Sequence, residues 1–267
     1  MQYRITSSPW GFRYRQFETY CAFMKKIGIT DICSFFGDPK QHPLSFSDAM
    51  SPEEMNTVKA AVAAHGVRIV EVCGGGDYSV LNGVDKQIEI SKRHLDIAAK
   101  LDAKIFRVFG GWINEKQATD KTYDQISACL AEVGAYAGKY GIIVAMENHG
   151  GVTRTGEQVA RIMNKVPSGN VGVNYDPANF QFHGEDAYTA LMKIKDRVVF
   201  THLKNCKMLD GKMHYCRLAE GNVDYASIYT ELKRFYAGYW SLEYEEASDV
   251  EAGTMDDAAY VKSLLNS

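Results

Sequence analysis

The chain has 267 residues, of which 46% are hydrophobic and 24% are charged. These values are ordinary for a globular protein, and they exclude a disordered or fibrous chain. Thirty Lys and Arg residues face 33 Asp and Glu residues, and the formal net charge of −3 argues against a nucleic-acid partner. No apolar run approaches the roughly 18 residues that cross a membrane. The N-terminus lacks an apolar signal-peptide core, so we expect a cytoplasmic protein with no membrane partner.

Eight short runs rich in β-branched and aromatic residues recur about every 34 residues, which is typical of βα units that build a parallel sheet. Several of them are apolar on both faces, as strands of a buried parallel sheet should be. The eight predicted strands are Tyr3–Ser7, Asp31–Phe35, Arg68–Val72, Lys104–Phe109, Ile142–Glu147, Val171–Tyr175, Val198–Leu203 and Tyr239–Glu243.

Helix caps and apolar stripes predict helices between these strands. Capping boxes or capping residues are expected at Ser51 with Glu54, at Thr122 with Gln125, at Thr155 with Gln158, and at Asp224. A first helix should end at Gly28, one over Met55–Ala64 should end at His65-Gly66, and a last helix should span Asp256–Leu265.

This order of elements predicts a single (β/α)₈ TIM barrel, one α/β domain over residues 1–267. A doubly wound open sheet is the competing fold. It would normally place a glycine-rich turn after the first strand, and Ser7–Arg13 is not such a turn. The longer connections follow strands, which is where a barrel builds its active site.

The six cysteines include no CxxC pair. We expect buried free thiols, since a thiolate metal site would need paired spacings.

Polar side chains fall at the ends of the last four predicted strands. They are Glu147, Asp176, His202 and Glu243. Any one of them alone could be a loop residue or a helix cap. Four on consecutive strands should converge, and three crowded carboxylates need a compensating cation. Three oxygens with one imidazole nitrogen suit one divalent ion, Mn²⁺, Mg²⁺, Co²⁺ or Zn²⁺.

The motifs around these residues resemble those of the sugar phosphate isomerase/epimerase superfamily of xylose isomerase-like TIM barrels. This group includes ketose 3-epimerases, hydroxypyruvate isomerase, inosose dehydratase and, more distantly, endonuclease IV. The matching stretches are RVFGG (107–111), ENHGG (147–151), NYDPANF (174–180), THLKN (201–205), AEGNVDY (219–225) and YWSLEYE (239–245). The resemblance implies that Glu147, Asp176, His202 and Glu243 bind one divalent metal, with Mn²⁺ the first choice. It also implies that the two glutamates move protons.

The same residues suit proton removal next to a carbonyl, with a metal stabilising the enediolate and two carboxylates exchanging the proton. The expected function is therefore a metal-dependent sugar isomerase or epimerase. A metal-dependent lyase or hydrolase acting on a keto-inositol or keto-glycoside is the alternative. An endonuclease IV-like repair enzyme is more remote, since the chain has seven histidines and a negative charge. A metal-free binding module would leave the carboxylates without a purpose.

Further residues are candidates for contact with the substrate. We expect such contacts from His149, Asn179, His183, Lys204, Arg217 and Trp112. Asn179 stands where many relatives have a histidine, and His183 could substitute for it. Trp10, Phe36 and Tyr78 are candidates, with Trp112, for an apolar wall.

Other polar residues have simpler expected roles. Arg107 should pair with Glu147 or face the substrate. His65 and His94 are expected on helix surfaces, and Glu245 and Glu246 in solvent.

The loops after the last two strands lack a glycine-rich phosphate cradle, and the final loop is acidic. A non-phosphorylated sugar is therefore the expected small-molecule partner. The resemblance also suggests a homodimer or homotetramer.

Overall fold

The computed structural model describes residues 4–167 and 169–265. Eight parallel strands form a nearly closed barrel, and their hydrogen-bonded order is β1-β10-β7-β6-β5-β4-β3-β2. These strands are β1 Arg4–Ser7, β2 Asp31–Phe35, β3 Arg68–Cys73, β4 Ile105–Phe109, β5 Ile143–Glu147, β6 Val171–Tyr175, β7 Val198–Leu203 and β10 Tyr239–Leu242. The predicted TIM barrel is confirmed, and the strand ends agree with prediction to within one residue; Tyr3 lies outside the described residues.

Nine helices of the described chain cover the outside of the barrel. They are α1 Phe17–Lys26, α2 Pro52–His65, α3 Val84–Lys100, α4 Asp120–Gly138, α5 Gly156–Met163, α6 Pro177–Phe182, α7 Ala187–Ile194, α8 Tyr225–Leu232 and α9 Val250–Leu265. The main apolar core lies between these helices and the strands. A smaller core inside the barrel consists of Cys33, Ile105, Ala145 and Phe200.

The barrel closes through side-by-side packing of its first two strands. Strands β1 and β2 are neighbours but share no strand pairing in the described chain, whereas every other adjacent pair is parallel. The register shifts once in the β2–β3 pair and once in the β6–β7 pair. Strand β1 pairs with β10, with Ser7 opposite Leu242. Because all eight strands are parallel, their carboxyl ends lie at one mouth of the barrel.

The capping predictions are mostly confirmed. Ser51 forms a capping box with Glu54 in front of α2, and Gly66 ends that helix in the left-handed conformation, with φ of 60°. Thr155 and Asp224 also cap their helices as expected.

Two helix starts were wrong. Helix α4 begins after Thr119, whose backbone N–H donates to the Thr122 hydroxyl at 3.1 Å, so Thr122 lies inside the first turn and is not the cap. The last helix begins at Val250 rather than Asp256.

A β-hairpin interrupts the segment that was predicted as a plain loop after β7. Its strands are β8 Asn205–Leu209 and β9 Lys212–Cys216, joined by a two-residue turn. Asp210 and Gly211 both have positive φ, 50° and 73°, as a type I′ turn requires. This Asp-Gly pair between two β-rich runs was a hairpin signal in the sequence.

The prediction of a surface position for His94 was wrong. His94 is buried, its Nδ1 accepts a hydrogen bond from the Gly75 N–H at 3.0 Å, and its ring stacks on Phe36 at 3.8 Å. Helix α3 faces the loops after β2 and β3, which cover this imidazole. His65, at the end of α2, is half-buried beside Glu18.

All six cysteines are free and buried, as expected. No helix in the described residues is long and apolar enough to span a membrane.

Ser51→Ala should destabilise the protein by about 0.5–2 kcal/mol, because the N–H of Glu54 would lose its acceptor in the capping box. Urea unfolding of the two proteins measures the difference. Asn56→Ala is the matched control in the same helix, since Asn56 is exposed and alanine favours helix. Equal stability of Ser51→Ala and the parent protein would contradict the assigned cap.

Candidate metal centre and cleft

Four side chains from four adjacent strands meet at the carboxyl end of the barrel. Glu147, Asp176, His202 and Glu243 each offer one ligand atom, and these atoms all lie within 4.8 Å of one another. All four residues are buried. The convergence predicted from the sequence is therefore present.

Glu147, at the end of β5, is held by an arginine from the neighbouring strand. Arg107 Nη1 donates to Glu147 Oε2, and Arg107 Nε lies 3.4 Å from Glu71 Oε1 on β3. Burial would raise the pKa of Glu147, but the charges of Arg107 and His202 outweigh it and hold the pKa at about 2. Glu147 is therefore ionised at neutral pH, with one oxygen fixed by Arg107.

Asp176 follows β6 and caps the N-terminus of α6. Its Oδ1 accepts from the backbone N–H of Asn179 at 3.0 Å, and its Oδ2 accepts from the Asn179 side chain at 3.0 Å. Asn148 bonds to the backbone N–H and C=O of Asp176, which ties the ends of β5 and β6 together. Burial raises the pKa of Asp176 to about 7, against the opposing charge of Lys204.

His202 and Glu243 complete the cluster from β7 and the residue after β10. His202 Nδ1 lies 3.0 Å from Glu243 Oε2 and 3.4 Å from Glu147 Oε1. The other oxygen of Glu243 accepts from the Ser8 hydroxyl at 2.7 Å. Burial would raise the pKa of Glu243, but His202 and Lys204 hold it well below its usual range.

Lys204 is a buried part of the centre. Its Nζ lies 3.0 Å from Asp176 Oδ2, 3.0 Å from Glu243 Oε2 and 2.8 Å from Glu245 Oε1. The prediction that Glu245 is solvated was therefore wrong. Glu246 is exposed, as expected. Because Asp176 Oδ2 and Glu243 Oε2 are also the oxygens near the centre of the cluster, the ammonium competes for the atoms that a metal would bind.

These residues fit a divalent cation. His202 Nε2 is buried and has no hydrogen-bond partner in the described chain. Glu243 Oε2 lies 3.0 Å from both His202 Nδ1 and Lys204 Nζ, as ion pairs that lack hydrogen-bond geometry. Five carboxylates surround the centre, and the only permanent cations that the structure places against them are Arg107 and Lys204. An excess of buried negative charge, with unsatisfied oxygen and nitrogen atoms, is what a metal ion stabilises.

The cluster forms the floor of a cleft of about 560 Å³ at the barrel mouth. Glu147, Glu243 and Lys204 line the cleft, whereas Asp176 and His202 lie beneath it. The upper walls are aromatic and include Trp10, Phe36, Phe109, Trp112 and Tyr215. A larger cavity of about 920 Å³ lies at the opposite end of the barrel, between the amino ends of the strands.

The model of the family described as "Xylose isomerase-like TIM barrel" matches residues 21–264, which is most of the chain. The chain belongs to the xylose isomerase-like TIM barrel family. It is 24% identical over 220 residues to inosose dehydratase from Bacillus velezensis (strain DSM 23117 / BGSC 10A6 / LMG 26770 / FZB42), covering 71% of this chain and 73% of that enzyme.

Two solved structures show the same fold. The IOLI protein with a bound zinc atom has a TM-score of 0.81 at 15% identity, over 98% of this chain and 97% of that one. A D-tagatose 3-epimerase-like protein has a TM-score of 0.80 at 18% identity, also over 98% and 97%.

Three of the six residues predicted to contact a substrate line the cleft, namely His149, Lys204 and Trp112. Asn179 lies beneath it, where its Nδ2 also lies 3.3 Å from Glu147 Oε1. Of the aromatic candidates, Tyr78 belongs to the core, with its hydroxyl 2.8 Å from that of Ser91.

The structure does not bring His183 or Arg217 to the cleft lining. The ring of His183 packs beside Gly150 and Phe182. Arg217 joins Asp249 and Asp256 at 2.8 and 2.6 Å, so it fastens the hairpin to α9. Their substrate contacts remain sequence predictions.

Several residues of the centre were not predicted from the sequence. The sequence contained signals for two of them. Ser8 follows the first strand, and Glu71 is an acidic residue within the apolar run IVEVC. Tyr215 depends on the hairpin that was not predicted.

Lys204→Met should bind Mn²⁺ or Zn²⁺ about tenfold more tightly or better than the parent protein, because a positive charge near two ligand oxygens is removed. Without metal, the variant should melt at a lower temperature than the parent protein, since its carboxylates lose their partner. Added metal should raise the melting temperature of the variant more than that of the parent protein. Calorimetric titration and thermal unfolding measure both effects.

Lys207→Met is the control, because Lys207 pairs with Glu220 on the hairpin surface and does not touch the cluster. Unchanged or weaker metal binding by Lys204→Met would show that the ammonium does not compete with a metal.

Proposed function

We propose that the protein is a divalent-metal-dependent isomerase or epimerase that removes a proton next to the carbonyl of a non-phosphorylated sugar. The convergence of Glu147, Asp176, His202 and Glu243 at the floor of the cleft carries this proposal. Membership in the xylose isomerase-like TIM barrel family and similarity to inosose dehydratase support it.

The four residues would hold one cation, with Mn²⁺ as the first choice. When bound, such an ion supplies positive charge close to the oxygen atoms on which negative charge develops as a proton leaves carbon. Asn179 and Asn148 orient Asp176, and Ser8 orients Glu243, so the ligands are fixed before substrate enters.

Glu147 and Glu243 are assigned as the groups that exchange the proton. They are the two carboxylates of the ligand set that line the cleft, and both have pKa values that keep them ionised at neutral pH. They come from strands β5 and β10, separated by β6 and β7 in the barrel. One can therefore accept the proton from one side of the sugar while the other returns it.

The charges of the cleft favour a neutral sugar over a phosphorylated one. The basic side chains in the lining of the cleft are those of Arg107 and Lys204. Both are already paired, Arg107 with Glu71 and Glu147, and Lys204 with three carboxylates. A phosphate would find no uncompensated ammonium or guanidinium there.

A lyase is the second candidate, and the similarity to inosose dehydratase favours it. Its first step is the same removal of a proton next to a carbonyl. The outcome differs because a leaving group on the adjacent carbon departs before the proton returns. Geometry at the floor of the cleft serves both reactions.

Incubation of the metal-loaded protein in D₂O with free ketoses, keto-inositols and 3-keto-glycosides tests the proposal. We expect deuterium to enter the carbon that is deprotonated. NMR distinguishes inversion at that carbon, which indicates an epimerase, from label at the neighbouring carbon, which indicates an isomerase. Loss of water or of an aglycone would indicate a lyase.

Glu147→Gln and Glu243→Gln should each slow the exchange by about 100-fold or more, because a neutral amide cannot accept the proton. Glu246→Gln is the control, since Glu246 is exposed near the same strand end and bonds only to Ser248. If both variants at 147 and 243 retained full exchange rates, the two-carboxylate assignment would be wrong.

A further inference from the structure

The lining of the cleft combines charged side chains at the strand ends with aromatic side chains from the loops. The floor is charged, with Glu147, Glu243 and Lys204. Above it the walls are mainly aromatic side chains, and Trp112 and Tyr215 stand at the mouth. A sugar bound at the floor would leave this upper part of the 560 Å³ space to a second group.

Two aromatic clusters form the upper walls. In the first, Trp10 packs against Phe35 and His42, with ring centroids 5.7 and 5.5 Å apart. In the second, Phe109 packs against Trp112 at 4.7 Å and His149 at 4.9 Å.

The two clusters come from opposite sides of the barrel. The first lies after strands β1 and β2, and the second after β4 and β5. In an eight-stranded barrel, strands β1 and β5 are diametrically placed. A flat group that enters from the mouth would therefore have aromatic rings on two sides.

Both tryptophans are more exposed than packing residues of a core. Trp112 is 58% exposed and Trp10 is 37% exposed. Large apolar side chains grouped at the mouth of a concave cleft mark a binding surface. The polar groups of the upper wall are the imidazoles of His42 and His149, the hydroxyl of Tyr215 and the indole N–H groups of the two tryptophans. Because most of this wall is aromatic carbon, it offers more contact surface to a flat aromatic group than hydrogen-bonding partners to a second sugar ring.

We propose that the upper cleft is a subsite for an aromatic or heteroaromatic group attached to the reacting sugar, so that the substrate is an aryl-bearing keto sugar. This inference rests on the proposed function only in placing the sugar at the floor. The aromatic group stacks against Trp112 and Trp10, while the metal ligands and Lys204 engage the sugar.

Three unreactive probes test the subsite by NMR titration of the metal-loaded protein: methyl β-glucoside, phenyl β-glucoside and methyl β-cellobioside. We expect the phenyl glucoside to bind about tenfold more tightly than the methyl glucoside, as stacking on aromatic rings predicts. Trp112→Ala should remove most of this preference. Phe235→Ala, which removes an exposed aromatic ring outside the cleft, should leave the preference intact.

Equal binding of the phenyl and methyl glucosides would overturn the inference, and so would a cellobioside that binds as tightly as the phenyl glucoside. A phenyl preference that survives Trp112→Ala would overturn the stacking site. Deuterium exchange into the methyl 3-keto-glucoside reports on the proposed reaction alone, since that compound has no aromatic group. Exchange without a phenyl preference therefore rejects the subsite, and a Trp112-dependent preference without exchange rejects only the reaction.

Discussion

Buried negative charge at the carboxyl ends of the strands is the constraint on which the rest of the site depends. Glu71, Glu147, Asp176 and Glu243 are all shielded from solvent, and carboxylates in such a place are costly without compensation. The positive charges of Arg107 and Lys204 supply part of this compensation from inside the barrel. The remaining negative charge is what a divalent cation would offset, whereas the positive charges of Arg107, His202 and Lys204 keep Glu147 and Glu243 ionised.

The parallel barrel makes this concentration of charge geometrically simple. Each ligand occupies the last residue of a strand or the one or two positions next to its end, so no long loop has to be ordered to bring the ligands together. Short polar side chains nearby then fix the carboxylates in orientation: Asn179 donates to Asp176, and Ser8 donates to Glu243. The loops above this floor do not have to supply these four residues, so their composition can vary, and here they carry aromatic side chains.

The strands, the barrel and the convergence of Glu147, Asp176, His202 and Glu243 could be predicted because each depends on local pattern. Apolar runs mark buried strands, and a polar residue that ends such a run has to lie at the common mouth. Arg217, Glu245 and His94 could not be placed this way. Their positions depend on which distant side chains they meet: Asp249 and Asp256, Lys204, and the Gly75 backbone. The hairpin of β8 and β9 could have been predicted from the sequence, since Asp210-Gly211 is a residue pair that a type I′ turn favours.

The base of that hairpin has a mechanical consequence. Arg217 grips two aspartates at the start of the C-terminal helix, and the Leu218 N–H donates to Asp257 at 2.7 Å. Tyr215 lies two residues before Arg217, so these contacts hold it in a fixed position at the entrance of the cleft. Loosening of the final helix, which begins seven residues after Glu243, would therefore first change which molecules can enter the cleft.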